Sequence, residues 1–231
     1  MVSVLDLVRS FIREDTDAAD FFRLLEEKPE ITNWLQSIVP KGKVMYRCNV
    51  VKNAFGQNAH ALEMLPYDIG AVIRQYVQEG HGNRWYAYYY TQRELYTLLC
   101  EVYPNPDLRM GTAIAERFFF GLDAIPHCIG EAVAEKSGIF ARVMAGMPAF
   151  PEREKRVAWV REEMKKQFGI EGSHYPCWRY ESAWPLGIHN KPMRFVSQDC
   201  DREGKYRYVF ADAESGNREE VVQTSSAYYR A

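Results

Sequence analysis

The sequence predicts an α+β protein, mainly helical and closing on a small antiparallel sheet. Three observations carry that reading. Apolar residues recur at helical spacing over most of the first 171 positions. From Gly172 onward the period becomes two, with turn residues between three short runs. The stretch joining the two regimes is dense in Trp, Tyr and Pro and fits neither period. The expected organisation is a helical region at 1–171, then an aromatic connector and β element at 172–231, the two sharing one core.

The elements follow in order. Val4, Leu7, Val8, Phe11 and Ile12 form one helical stripe, and Asp15 and Thr16 offer a break and an N-cap. Ala18, Phe21, Phe22 and Leu25 form the next. Pro29 suits the first turn of a third helix, with Ile31, Trp34, Leu35 and Ile38 on one face. Alternation over Lys43–Val51 predicts a strand, and the polar stretch Asn53–His60 a loop. Ile69, Val72, Ile73 and Tyr76 mark a helix that ends at Gly80, Gly82 and Asn83. Thr91-Gln92-Arg93-Glu94 fits a capping box that opens a helix over Leu95, Leu98, Leu99 and Val102, stopped by Pro104 and Pro106.

Arg117–Leu122 reads equally as strand or buried helical turn. A helix from about Ile129 to Met144 is weakened at Ser137-Gly138. The last helix opens at Pro151-Glu152 with Val157, Val160, Met164 and Phe168 as its stripe. Glu152–Arg156 and Glu162–Lys166 are spaced for i, i+4 ion pairs, and Gly169 suits the C′ position. Strands are then expected at Met193–Gln198, Tyr206–Phe210 and Glu219–Gln223, a three-stranded meander.

Bulk properties exclude several functions. A net charge of −2 gives no field that would recruit nucleic acid or an anionic membrane. No apolar run reaches the roughly 18–20 residues that span a bilayer. The first residues carry charges where a signal peptide needs an apolar core, so a cytoplasmic location is expected. The five cysteines are odd in number and scattered, which argues against a disulfide framework.

Catalytic signatures are sparse. There is no Gly-x-Ser-x-Gly elbow and no phosphate-binding glycine loop. His174, Cys177, His189 and Cys200 are zinc-type ligands, but only His174-x-x-Cys177 has a workable local spacing. A metal- or thiol-dependent enzyme built on these residues is the alternative reading. No cofactor is expected. Trp85–Tyr90 is either an interface patch or a buried belt. Trp178, Arg179, Tyr180 and Trp184 are the candidate partner-binding residues, since Trp, Tyr and Arg dominate protein contact sites. The sheet edge beside them could accept a strand from a partner, and the aromatics could equally be structural packing.

The run Trp178…Glu181-Ser182-Ala183-Trp184-Pro185-Leu186-Gly187…Asn190-Lys191-Pro192-Met193-Arg194-Phe195-Val196-Ser197-Gln198, followed by a hairpin with Phe210 and Glu219–Gln223, resembles the C-terminal signature of a group of uncharacterised cytosolic bacterial proteins. Its Trp-Pro, Lys-Pro-Met and Phe-x-x-Gln elements are also similar to tails of proteins associated with toxin–immunity loci. The sparse catalytic signatures, the surplus of aromatics and the exposed sheet edge make a non-enzymatic, protein-binding factor the expected function; the second similarity implies an immunity-like role for it, and the resemblance brings no catalytic residue with it.

Overall fold

Short polar side chains set where the helices begin. Ser3 accepts the Asp6 amide at the start of α1 (Val4–Arg13), and Asp17 accepts those of Ala19 and Asp20 at the start of α2 (Ala18–Glu27). Asp17, rather than Thr16, is therefore the cap. Pro29 opens α3 (Pro29–Ile38), where a missing N–H costs nothing. Asp68 caps α4 (Ile69–Glu79) and Asn83 caps α5 (Arg84–Val102). The computed structural model describes residues 3–52, 58–80, 82–103, 107–202 and 204–224, with the backbone alone at 47–52 and 58–62.

Helix α5 corrects one expectation. It runs unbroken through Thr91, so the capping-box spelling marks no helix start. Thr91 and Gln92 are fully buried in mid-helix, and Glu94 faces the other way, accepting hydrogen bonds from Tyr67 and, at 3.0 Å, from Tyr76. Burial, and then the neighbouring Glu94, push both phenols well above their ordinary range, so they stay protonated donors. Trp85–Tyr90 becomes the first two turns of this helix. Tyr88 is buried with the half-buried Trp85 edge-on to it, and Tyr86, Tyr89 and Tyr90 are half-buried against Tyr76 and Phe118. The belt is packing. Prolines 104 and 106 lie outside the described residues.

Strand β1 (Val44–Lys52) pairs with β2 (Asn58–Pro66) in an antiparallel hairpin of its own. Part of the predicted loop, from Asn58 to His60, is thus strand, and residues 53–57 lie outside the described set. Helix α6 (Ala113–Ala124) resolves the ambiguity over Arg117–Leu122 in favour of helix. Its first amides, on Ala113 and Ile114, donate to the Glu14 carboxylate at 2.9 Å each. Glu14 sits at the left-handed C-cap of α1 (φ 66°), and buried Gln92 also donates to it at 3.0 Å. One side chain thus closes one helix start from another helix's end, a hundred positions away in sequence.

The predicted helix over 129–144 is two helices, α7 (Glu131–Lys136) and α8 (Ile139–Ala145), broken where Gly138 takes φ 66°. Helix α9 (Arg153–Gln167) ends in a Schellman turn, with the Ile170 amide on the Lys165 carbonyl and that of Gly169 (φ 63°) on Lys166. The ion pairs along its own surface are i, i+3, namely Glu152–Lys155, Glu162–Lys165 and Glu163–Lys166, while Arg153 pairs with Asp123 of α6. The expected i, i+4 partners Arg156 and Lys166 are not the ones used by Glu152 and Glu162. Then come β3 (Arg194–Cys200), β4 (Lys205–Ala211) and β5 (Arg218–Thr224), antiparallel and in sequence order, as the meander requires.

The α+β architecture is as the sequence predicts: among the described residues, nine α-helices, mostly ahead of a C-terminal three-stranded sheet. The chain forms two compact units, Met1–Phe118 and Phe119–Ala231. The division expected at residue 171 falls inside the second unit. There the sheet shares its core with α7–α9: Phe195, Tyr208 and Phe210 pack with Ile129, Phe140, Val160, Met164 and Phe168. A three-stranded sheet buries too little to stand by itself, and these helices supply the missing apolar face.

Candidate protein-contact surface

The connector leaves the Schellman turn of α9 and crosses to the sheet without regular structure, so its backbone groups need partners from elsewhere. Side chains of the sheet provide them. The Tyr208 hydroxyl donates to the Cys177 carbonyl (3.1 Å) and accepts the Arg179 amide (2.8 Å). The Gln223 amide oxygen accepts from the Arg179 and Tyr180 amides at 3.0 and 3.1 Å, while its nitrogen donates to Glu181. Gln198 accepts the Cys177 amide at 2.7 Å. All three bonding residues come from the strands, one from each, and Tyr208 and Gln223 are themselves buried.

The tryptophans are anchors. Trp184 is 3% exposed, meets Phe168 edge-on at 5.3 Å and donates its indole N–H to the Met193 carbonyl at 2.8 Å. Trp178 is half-buried on Tyr208 (4.4 Å) and Phe210 (5.8 Å), and its indole donates to the Cys128 carbonyl at 2.7 Å. Ser182 adds bonds to the carbonyls of Cys128 and Ile129. Trp184 therefore cannot present a contact surface, which corrects the sequence expectation for that residue. Trp178 spends its one donor internally. Both hold the connector in place.

Arg179 and Tyr180 differ. Their backbone amides are pinned by Tyr208 and Gln223, yet the Arg179 side chain is exposed. Its guanidinium lies 5.8 Å from the Tyr180 ring centre and 6.0 Å from that of Tyr206, within cation–π range of both. Among the described residues it has no carboxylate partner. The result is a fixed Tyr–Arg–Tyr strip with an uncompensated charge. Sequence reading finds Arg179 and Tyr180 but misses Tyr206, 26 positions later, and the supports Tyr208 and Gln223. Nothing local in the sequence marks them, because the pairing of strand with connector selects them.

The turn after β4 is locked onto the connector by Asp212. Its carboxylate accepts the Glu214 amide at 2.7 Å and those of Ile188 and Ser215 at 3.3 Å each. These bonds, Glu214 first, hold its carboxyl below the usual range. A Cβ on Gly187 would come within 2.9 Å of Asp212 Cγ, so only glycine admits this approach. A carboxyl depressed in the folded state contributes stability that is complete above its unfolded value of about 3.9 and is lost as pH falls through the folded one. Asp212→Asn should flatten the acid limb of melting temperature against pH below about pH 4, measured by circular dichroism from about pH 2 to 6. An unchanged acid limb would show that Asp212 is not linked to folding.

The zinc-type residues do not assemble. His174 Nε2 faces the Phe195 carbonyl at 3.3 Å, where it can only donate, Cys177 and Cys200 are exposed, and His189 lies in a single 3-10 turn at Ile188–Asn190 with φ 56°. Among the described residues no three His, Cys, Asp or Glu side chains gather at metal-holding distance. Burial pushes the Cys128 thiol up, away from the thiolate a nucleophile needs. In the first unit a shallow groove of about 370 Å³ is lined by Phe22, Leu25, Ile73 and Val77, with Glu26, Thr32 and Arg74 as polar members. No helix of the described residues is long and apolar enough to cross a membrane. Comparison with protein-family models, with curated proteins and with solved structures finds no match to this chain.

Proposed function

We propose that this is a non-enzymatic protein-binding factor whose contact surface is the strip Arg179, Tyr180 and Tyr206, with Trp178 and Trp184 as its foundations. One observation carries the reading. An exposed guanidinium with no carboxylate partner among the described residues stands between two tyrosine rings, on a backbone that buried side chains hold in place. Ordering a side chain at an interface costs about 0.5–1.5 kcal/mol, and a pre-set Arg and two stiff Tyr avoid much of that cost. The two cation–π contacts are worth only about 0.5–1 kcal/mol at an exposed site, so a purely structural connector gains little from the charge.

The test compares affinity capture from the native host with wild type and with Arg179→Ala. The wild type should enrich a discrete partner that the variant recovers at least about tenfold less well, a hot-spot loss. Denaturation of the variant should stay within about 0.5 kcal/mol of wild type, as for an ordinary surface change. Identical recovery by the two proteins would refute the assignment.

A further inference from the structure

Beyond partner binding, we infer that Cys177 and Cys200 are a reversible dithiol–disulfide pair that fastens the connector to β3. The two lie 23 positions apart in sequence, and the fold brings them to one end of one sheet face. The Cys177 amide donates to the Gln198 side chain at 2.7 Å, and the Cys177 carbonyl accepts the Tyr208 hydroxyl at 3.1 Å. Gln198 and Tyr208 are cross-strand partners, so Cys177 sits over that pair. Cys200 is the second residue beyond Gln198 on β3, on the same face and about 7 Å along the strand. Its own cross-strand partner is Tyr206, which the Arg179 guanidinium approaches at 6.0 Å. The connector beside Cys177 thus leans toward the Cys200 end of the strand. Both thiols are exposed. The Tyr208 phenol responds to both: burial raises it first, and Tyr206, Cys177 and Cys200 add to the rise. A disulfide joins Cα atoms about 4–7 Å apart, a separation that an irregular connector held by side-chain bonds can settle to where a paired strand could not.

The Cys200 thiol donates to the Asp201 carbonyl at 3.5 Å, which makes Cys177 the readier first nucleophile. As thiolate, Cys177 attacks one sulfur of a small-molecule disulfide of the glutathione type. The small disulfide breaks, and the thiolate that leaves takes up the proton Cys177 gave up. Cys200, deprotonated in turn, attacks the Cys177 sulfur of the mixed disulfide and expels the second small thiol. The protein gives up two electrons and two protons, and the small disulfide becomes two thiols. Cys128 is the rival partner, since the Trp178 indole next to Cys177 bonds its carbonyl. Burial pushes the Cys128 thiol up, however, so it supplies little thiolate.

The experiment equilibrates the full-length protein in mixtures of reduced and oxidised glutathione, alkylates the remaining thiols and maps tryptic peptides by mass spectrometry. The Cys177–Cys200 bridge should form with an equilibrium constant at least about tenfold larger in the folded protein than in urea, because the fold holds the thiols together. Trypsin cleavage of the native protein after Arg179, an exposed site outside regular structure, should slow about tenfold on oxidation and recover on reduction, since the bridge opposes the local opening that cleavage needs. Cys177→Ser and Cys200→Ser should each abolish both effects, and Cys128→Ser neither. Equal oxidation in native buffer and in urea, a bridge from Cys177 to Cys128, disulfide-linked dimers in place of the internal bridge, or cleavage at Arg179 indifferent to oxidation would each overturn the inference. None of these readouts involves a partner, so the bridge and the Arg179 contact surface stand or fall separately.

Discussion

Trp184→Ala should cost the second unit about 3–5 kcal/mol, the usual loss on emptying a buried Trp site. The indole fills a space between Phe168 and Phe210, at 5.3 and 5.4 Å, and its N–H satisfies the Met193 carbonyl. Truncation leaves a cavity and an orphaned acceptor together. Near-neutral substitution is the outcome expected of a surface residue, and the burial of Trp184 at 3% excludes it. Urea unfolding of Trp184→Ala and of Arg179→Ala separates the two roles. The first should lose most of its margin and the second almost none. A Trp184→Ala protein as stable as wild type would show that the indole is not part of the core.

Glu14→Ala should be the second large effect, about 3 kcal/mol in the first unit. The carboxylate receives the Ala113 and Ile114 amides and the buried Gln92 side chain, and hydrogen bonds to a charged group are worth about 1.5–3 kcal/mol each before relaxation. Alanine exposes the start of α6 and strands the Gln92 donor, although Gln92 keeps its bond to the Ile12 carbonyl at 3.0 Å. Glu14→Gln keeps the shape and one acceptor oxygen and should lose about half as much. Unfolding followed by helical circular dichroism measures both. Equal stability of Glu14→Ala and wild type would remove this side chain from the account of how α6 is positioned.

These two residues mark what the sequence could and could not reveal. The meander was legible because period-two alternation and glycine-bearing turns are local signals, and Tyr206, Tyr208 and Phe210 alternate as a half-buried strand must. The α9 terminus was legible for the same reason, since Gly169 supplies a conformation few other residues accept. Glu14 was invisible because its partners lie a hundred positions away. The Thr91 capping box failed because a four-residue spelling cannot compete with a helix already started at Asn83 and buried through Ala87, Tyr88 and Thr91. Strand β2 was missed because Asn58–Pro66 has no β-branched residue, and its pairing with β1 is what makes it a strand.

The candidate surface was half legible. Trp, Tyr and Arg in one stretch suggested contact residues, but composition cannot say which way each side chain turns. The fold turns Trp184 inward, uses the Trp178 donor on Cys128, and leaves Arg179 outside between Tyr180 of the connector and Tyr206 of β4. The signature residues Ser182, Gly187, Met193 and Gln198 likewise serve the attachment of connector to sheet.

The central claim, that Arg179, Tyr180 and Tyr206 form the contact surface, is tested most directly by replacing Tyr206 with a photoreactive aromatic residue and irradiating the protein in its host cells. The account predicts a discrete crosslinked partner that disappears when Arg179→Ala is added, and none when the same photoreactive residue replaces Lys155 on the exposed face of α9. The same adducts from both positions, or an adduct at position 206 indifferent to Arg179, would contradict it.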